Sequence, residues 1–150
     1  MTGIVESKKS HVAAVYNNLR QADRDEIEAL GKDAFTSLRQ GFRESAPCYT
    51  WMYKDEPSAL LGCVPYSNGA AAIWMLGTDN IANHRYAFMK TCVPFHKELV
   101  RPYQLTANVV DERNEVHMRF IRYLGYNFIA RRLMGPNQMP FIEFARLNHV

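Results

Sequence analysis

The sequence predicts an α/β (α+β) protein in which a mixed, mostly antiparallel sheet of six to seven strands is flanked by helices. Three observations support this class. The first third of the chain has apolar residues at helical spacing, the middle has strand periodicity, and the remainder switches between the two patterns. The predicted order is strand, two helices, three strands, helix, strand, helix and two strands. At 150 residues, the chain (1–150) is expected to form one domain.

The first third is predicted to be helical after a short strand at Ile4 and Val5. A helix from Ser10 to Leu19 has a serine as its N-cap and an apolar stripe on one face. The acidic run Asp23–Glu26 suits the positive end of a second helix. Its apolar face continues from Ile27 to Leu38 and is interrupted by Gly31.

The middle of the chain predicts an antiparallel meander of three strands. Aromatic residues alternate with other residues from Tyr49 to Tyr53, and Ala59 to Val64 supplies the second strand. The dipeptide Asn68-Gly69 is a strong hairpin signal. The unbroken apolar run from Ala70 to Leu76 is typical of a central strand that is covered on both faces.

A helix from about His84 to Val100 is expected next, and Pro94 inside it should kink or split the helix. Its predicted buried face consists of Phe88, Cys92, Phe95 and Leu99. The chain ends with two predicted strands, Tyr126 to Leu133 and Met139 to Leu147.

The segment from Gln104 to Tyr126 is the most informative part of the chain. A strand ending at Val110 gives way to a helix that Asp111 or Asn114 can cap, and Gly125 is placed to end that helix. The buried face of the helix is predicted from residues at steps of four, one and three: Val116, Phe120, Ile121 and Leu124.

This segment resembles motif B of the GNAT superfamily of N-acetyltransferases. The residues that fall in register with the motif are Asn114, Phe120, Leu124, Gly125 and Tyr126. The resemblance implies a GNAT-like fold whose fourth and fifth strands splay apart, and acetyl-CoA or another acyl-CoA as cofactor. It implies cofactor contacts from Met75, Leu76, Gly77, His84, Arg85, Asn108 and Asn114.

Two positions depart from the superfamily pattern. The place of the glycine-rich pyrophosphate turn is taken by Asp79–His84, which has no glycine and begins with an acid; His84 and Arg85 can partly compensate. The tyrosine that protonates the departing thiolate is replaced by Ile121.

The candidate catalytic residues are therefore His117, Asn114 and Glu143. His117 can act as a base or acid of tunable pKa, and its alternative is a half-buried histidine bonded to a carbonyl. Glu143 lies inside a strand, and its alternative is a solvent-facing position on the outermost strand or a structural ion pair. Four arginines can bind phosphate, nucleic acid or an acidic partner, or form a solvated face: Arg119, Arg122, Arg131 and Arg132.

A narrower resemblance rests on three blocks, Ile73–Asp79, Asn108–Asp111 and Asn114–Gly125. They are similar to an acetyltransferase-like family of tailed-phage proteins that includes the internal virion protein A of short-tailed phages. This resemblance implies either an N-acyltransferase encoded by a phage or a non-catalytic protein on the same scaffold. The second would act in the virion or bind a host or phage protein, in the host cytoplasm or packaged from it.

Composition excludes several other classes. The formal net charge of +3 is too small to argue for nucleic-acid binding. Cys48, Cys63 and Cys92 are scattered without metal-ligand spacing, so a reducing compartment and no metal site are expected. The amino terminus has no signal-peptide pattern, and the longest uncharged apolar block, Gly69–Gly77, is too short to span a bilayer.

Overall fold

The structure is a computed structural model and describes residues 1–149. Its strands are β1 (Gly3–Glu6), β2 (Tyr49–Tyr53), β3 (Glu56–Ser67), β4 (Ala70–Gly77), β5 (Leu105–Asp111), β6 (Asn127–Met134) and β7 (Met139–Leu147). Its helices are α1 (Lys9–Asn17), α2 (Gln21–Ala29), α3 (Ala34–Glu44), α4 (Asn80–Asn83), α5 (Arg85–Val100) and α6 (Glu115–Tyr123).

All strands belong to one seven-stranded sheet with the order β1-β2-β3-β4-β5-β7-β6. Every neighbouring pair is antiparallel except β4 and β5, which are parallel. The parallel pair arises because α4 and α5 cross over between these two strands. The predicted fold class, including the β2–β3–β4 meander, is confirmed.

The sheet separates two helical layers. On one face α1, α2 and α3 pack over β3 and β4, where Leu60 and Leu76 join the core of these helices. On the other face α5 packs over Trp51 and Leu61, and α6 packs over Val110 and its neighbours on β7. Because β4 is covered on both faces, its sequence is apolar at nearly every position, as the unbroken run predicted.

The predicted second helix is in fact two helices, α2 and α3. Gly31 has φ +75°, a left-handed conformation that favours glycine and ends the helical path. Asp33 then begins α3, because its carboxylate accepts a hydrogen bond from the Thr36 amide at 2.9 Å.

Two other local predictions concern Pro94 and the cap of α6. Pro94 lies inside α5 without splitting it, and the buried side chains of Phe88 and Cys92 pack this helix against the sheet. Asn114 is the N-cap residue of α6, but its side chain makes no capping bond and is directed instead to α2. No helix within residues 1–149 has the length and apolar character needed to cross a membrane.

Candidate active site

The parallel strands β4 and β5 are paired over only three residues each. The pairs are Ala70 with Leu105, Ala71 with Thr106, and Ala72 with Ala107. The side chain of Asn108 then donates a hydrogen bond from Nδ2 to the carbonyl oxygen of Ile73, at 2.8 Å. From there to their carboxyl ends the strands diverge, so the backbone of β4 beyond Ile73 has no β5 partner. The predicted splay is present.

A cavity of about 370 Å³ occupies the splay. It is lined from both helical layers, by α2 and α3 on one face of the sheet and by α5 and α6 on the other. Most of the lining is apolar, as in small-molecule sites. The lining includes both polar or ionisable side chains and apolar ones. The former include Glu26, His96, Asn108, His117 and Tyr126, and the latter include Met75, Leu76 and Ile121.

A buried polar cluster, formed by Arg20, Asp23, Asn114 and His117, closes the wide end of the splay. The Asp23 carboxylate is fully buried and accepts hydrogen bonds from Arg20 Nη1 at 2.8 Å and Asn114 Nδ2 at 2.9 Å. Its second oxygen accepts the backbone amide of Gly77, at 2.9 Å. The cluster therefore joins α2 to the end of β4 and to the start of α6.

His117 is the ionisable member of this cluster that also lines the cavity. Its Nε2 lies 3.5 Å from Asp23 Oδ1 and has no hydrogen-bond partner within residues 1–149. The alternative of a half-buried histidine bonded to a carbonyl is therefore wrong. Burial lowers the pKa of His117, Asp23 opposes this and Arg20 adds to it. The imidazole is thus neutral at pH 7 and able to accept a proton.

Glu26 is a second ionisable group in the cavity, and sequence reasoning missed it as a functional residue. Its Oε1 accepts the Asp111 amide at 2.8 Å and lies 3.5 Å from Asn114 Nδ2. Burial raises the pKa of Glu26 to about 8, against the hydrogen bond from Asp111 and with a further rise from Asp23. The sequence does contain an indication that Glu26 is buried, because it lies beside the apolar face of α2 that begins at Ile27.

Three hydrogen-bonded side chains lie on the α5 side of the sheet. The Tyr126 hydroxyl is 2.9 Å from His96 Nε2 and 2.8 Å from Thr106 Oγ1. Burial lowers the pKa of His96 to about 4 and raises the pKa of Tyr126. Both groups are therefore neutral at pH 7, and they give the cavity a polar wall where β4 and β5 are still paired.

The predicted site residues fall into three groups. Met75, Leu76 and Asn108 line the cavity, together with His117. Gly77 and Asn114 are held in or beside the polar cluster. The remaining residues lie outside the cavity lining: His84, Arg85 and Glu143.

Glu143 and the four arginines form surface contacts. β7 lies between β5 and β6, so Glu143 is not on an outermost strand, and Arg132 donates to its Oε1 at 2.9 Å. This is the predicted ion-pair alternative. The other arginines lie near Glu115, Glu112 or the Phe128 ring: Arg119, Arg131 and Arg122 respectively. Residues 1–149 contain no group of three or more potential metal ligands.

The turn after β4 forms the short helix α4 and then the N-terminal end of α5. His84 precedes α5 and stacks on Tyr53, with ring centroids 4.1 Å apart. Arg85 is exposed at the first position of α5. The turn is thus a helical segment, whereas a glycine-rich turn would leave its amides open.

No protein-family model and no curated protein sequence matches the chain. Solved structures do match. The Ard1 protein from Thermoplasma volcanium superposes with a TM-score of 0.76, at 16% identity, over 96% of this chain and 95% of that one. A Salmonella typhimurium protein solved with its cofactor acetyl-CoA gives 0.75, at 10% identity, over 100% and 95%. A GNAT-family acetyltransferase from Bacillus anthracis gives 0.68, at 11% identity, over 98% and 95%. The chain therefore has the GNAT fold.

Proposed function

We propose that this protein is an N-acyltransferase that uses acetyl-CoA or another acyl-CoA, with the acyl thioester bound in the cavity between β4 and β5. The observation that carries the proposal is the divergence of the two strands after three residue pairs, which leaves a cavity lined from both faces of the sheet. The likeness to a protein solved with acetyl-CoA supports it.

The thioester arm of the donor fits the residues present. An extended chain with amide groups can pair with the β4 backbone between Ile73, whose carbonyl is held by Asn108, and Gly77, whose amide is held by Asp23. Met75 and Leu76 would contact it, and Asn108 would mark its inner limit because that side chain already bridges the two strands. Donor and acceptor would thus meet inside the sheet, where water is largely excluded.

His117 is the residue we assign to proton transfer. As the acceptor amine forms its new N–C bond and the C–S bond of the thioester breaks, the amine proton passes to the His117 imidazole. The imidazolium is then stabilised by Asp23, whose carboxylate lies 3.5 Å away. Asn114 is a positioning residue, since its side chain holds Asp23. The thiolate leaves and takes up a proton, either from His117 or from the Glu26 carboxyl, which is largely protonated at pH 7.

Glu143 receives no step in this scheme. It is bound by Arg132 and stands outside the cavity lining. Glu143→Gln should therefore leave acyl transfer unchanged.

Calorimetric titration with acetyl-CoA and longer acyl-CoA thioesters tests the proposal. Ile121 lines the cavity, so the larger side chain of Ile121→Trp should obstruct it and weaken binding. Tyr123 lies on the same helix and is 66% exposed, so Tyr123→Trp is the matched control and should bind as the wild type does. The absence of detectable binding of millimolar ligand to the wild type would refute the proposal.

A second candidate function is favoured by two observations. The turn after β4 is helical where a pyrophosphate site would be expected, and position 121 is isoleucine rather than tyrosine. According to this second proposal, the protein is a non-catalytic phage protein with a GNAT fold. It acts inside the virion or binds a host or phage protein in the host cytoplasm. Mass spectrometry of purified particles is the test of the virion role. Absence from particles would leave only the partner-binding form of this candidate.

A further inference from the structure

The segment from Thr78 to His84, between β4 and α5, has little capacity left to bind phosphate. Five of the seven backbone amides from Thr78 to His84 already donate to oxygens of the protein. Their acceptors include the Ser58 and Asp79 carbonyls and the Thr78 side chain. The two other amides are those of Asp79 and Ala82. A phosphate site needs consecutive free amides, which glycine-rich turns supply.

The same turn is packed tightly against β3, so it cannot easily open into another shape. A side chain at Gly77 would come within 2.8 Å of the Ser58 carbonyl oxygen and would also clash with Ile81 Cδ1. Asn80 Nδ2 donates to Ser58 Oγ at 2.9 Å, which ties α4 to β3 by a side chain as well. Contacts with the neighbouring strand therefore stabilise the helical shape of the turn.

The charge at the turn also opposes a phosphate. Asp79 is exposed at the start of α4, and Glu56 Oε2 accepts a hydrogen bond from Asn80 Nδ2 at 3.2 Å. Two carboxylates thus lie at this turn, and their charge would repel a pyrophosphate bound there. Arg85 is the nearest cation in sequence, and it begins α5 rather than α4.

The cavity can therefore accept the thioester arm of the donor, whereas the turn disfavours its pyrophosphate. From these contacts we infer that the donor is recognised by its acyl-pantetheine arm alone, and that its pyrophosphate and nucleotide add little to binding. All donors of this kind contain a thioester of pantetheine. The pantetheine can be free, phosphorylated or part of coenzyme A. This inference rests on the proposed function, because it requires the thioester to occupy the cavity between β4 and β5.

The test compares the affinities of acetyl-CoA and acetyl-pantetheine for the full chain by calorimetry. We expect the two dissociation constants to differ by less than ten-fold. A preference of ten-fold or more for acetyl-CoA would overturn the inference, and the proposed function would stand. Failure of both thioesters to bind would instead refute the proposed function and, with it, the inference.

Two variants locate any contribution of the phosphates. Asp79→Asn removes a charge that makes no capping bond, and it should tighten acetyl-CoA by about two- to five-fold while leaving acetyl-pantetheine unchanged. Arg85→Ala should change neither affinity. A selective loss of acetyl-CoA affinity in Arg85→Ala would place the phosphates at the N-terminal end of α5 and contradict the inference.

Discussion

The buried carboxylate of Asp23 offers a sharp test of what holds the two halves of the sheet together at the splay. Asp23→Asn preserves the size of the side chain and removes its charge. The substitution leaves the Arg20 guanidinium, whose side chain is only 7% exposed, without the partner that it contacts at 2.8 Å. It also weakens the hydrogen bonds that Asp23 accepts from the Gly77 amide and from Asn114.

The expected loss of stability is large because one ion of a buried pair is left uncompensated. Breaking such a pair by removing one partner destabilises proteins by about 3–5 kcal/mol. We therefore expect Asp23→Asn to lower the free energy of unfolding by about 3–5 kcal/mol at pH 7. Urea denaturation followed by tryptophan fluorescence measures this change, because Trp51 is fully buried in the folded protein.

Asp25→Asn is the matched control on the same helix. Within residues 1–149 its carboxylate accepts a single, exposed hydrogen bond, from Gln21, so a change of about 0.5 kcal/mol or less is expected. If Asp23→Asn were to destabilise the protein by no more than Asp25→Asn, the polar cluster would not hold α2 to β4 and α6 as described.

The cavity, its ionisable groups and the three buried thiols can each be tested by substitution or labelling. Ile121→Tyr places a hydroxyl in the cavity and should raise acyl transfer to pooled primary amines by about ten-fold or more, measured as thiol release from acetyl-CoA. Ile121→Phe, which adds the ring without the hydroxyl, should not raise acyl transfer. An equal gain in both variants would refute proton donation by the introduced hydroxyl. The raised pKa of Glu26 means that the folded protein binds this proton more tightly than the unfolded chain. Glu26 therefore contributes stability that is complete below about pH 4.5 and is lost as pH rises through about 8. Glu26→Gln, which keeps the acceptor for the Asp111 amide, should be more stable than the wild type above pH 8 by about 2–4 kcal/mol, and coincident pH–stability curves would contradict this. Burial raises the pKa of Cys63 and Cys92 to about 12, and that of Cys48 is also raised, so all three thiols should resist iodoacetamide at pH 8 in the native protein and react in urea. Rapid native labelling of any of them would contradict the packing around that thiol.

The fold was largely predictable from sequence because its main elements have strong periodicity. The apolar run from Ala70 to Leu76 and the Asn68-Gly69 turn predicted β4 and its hairpin with β3. The break between α2 and α3 was less predictable, because Gly31 alone does not show whether a helix pauses or ends. Its end is decided by the φ of +75° at Gly31 and by the cap that Asp33 provides.

The site was only partly predictable, because its key contacts join residues far apart in the chain. Asn114 was expected to cap its own helix, yet it bonds Asp23, 91 positions away. Asp23 itself looked like a helix-dipole residue, and no local pattern shows that its carboxylate is fully buried. His117 was identified from its place beside the apolar face of α6, but its unpartnered Nε2 is visible only in the folded structure.

The proposed function requires a thioester arm to lie along β4 where β5 diverges from it. An NMR titration of the ¹⁵N-labelled protein with acetyl-CoA tests this most directly, residue by residue. We expect saturable shifts that are largest at the amides of Met75, Leu76, Asn108 and Val110, with little change in α1 or β6. Shifts that spare these four amides, or none at millimolar acetyl-CoA, would contradict it.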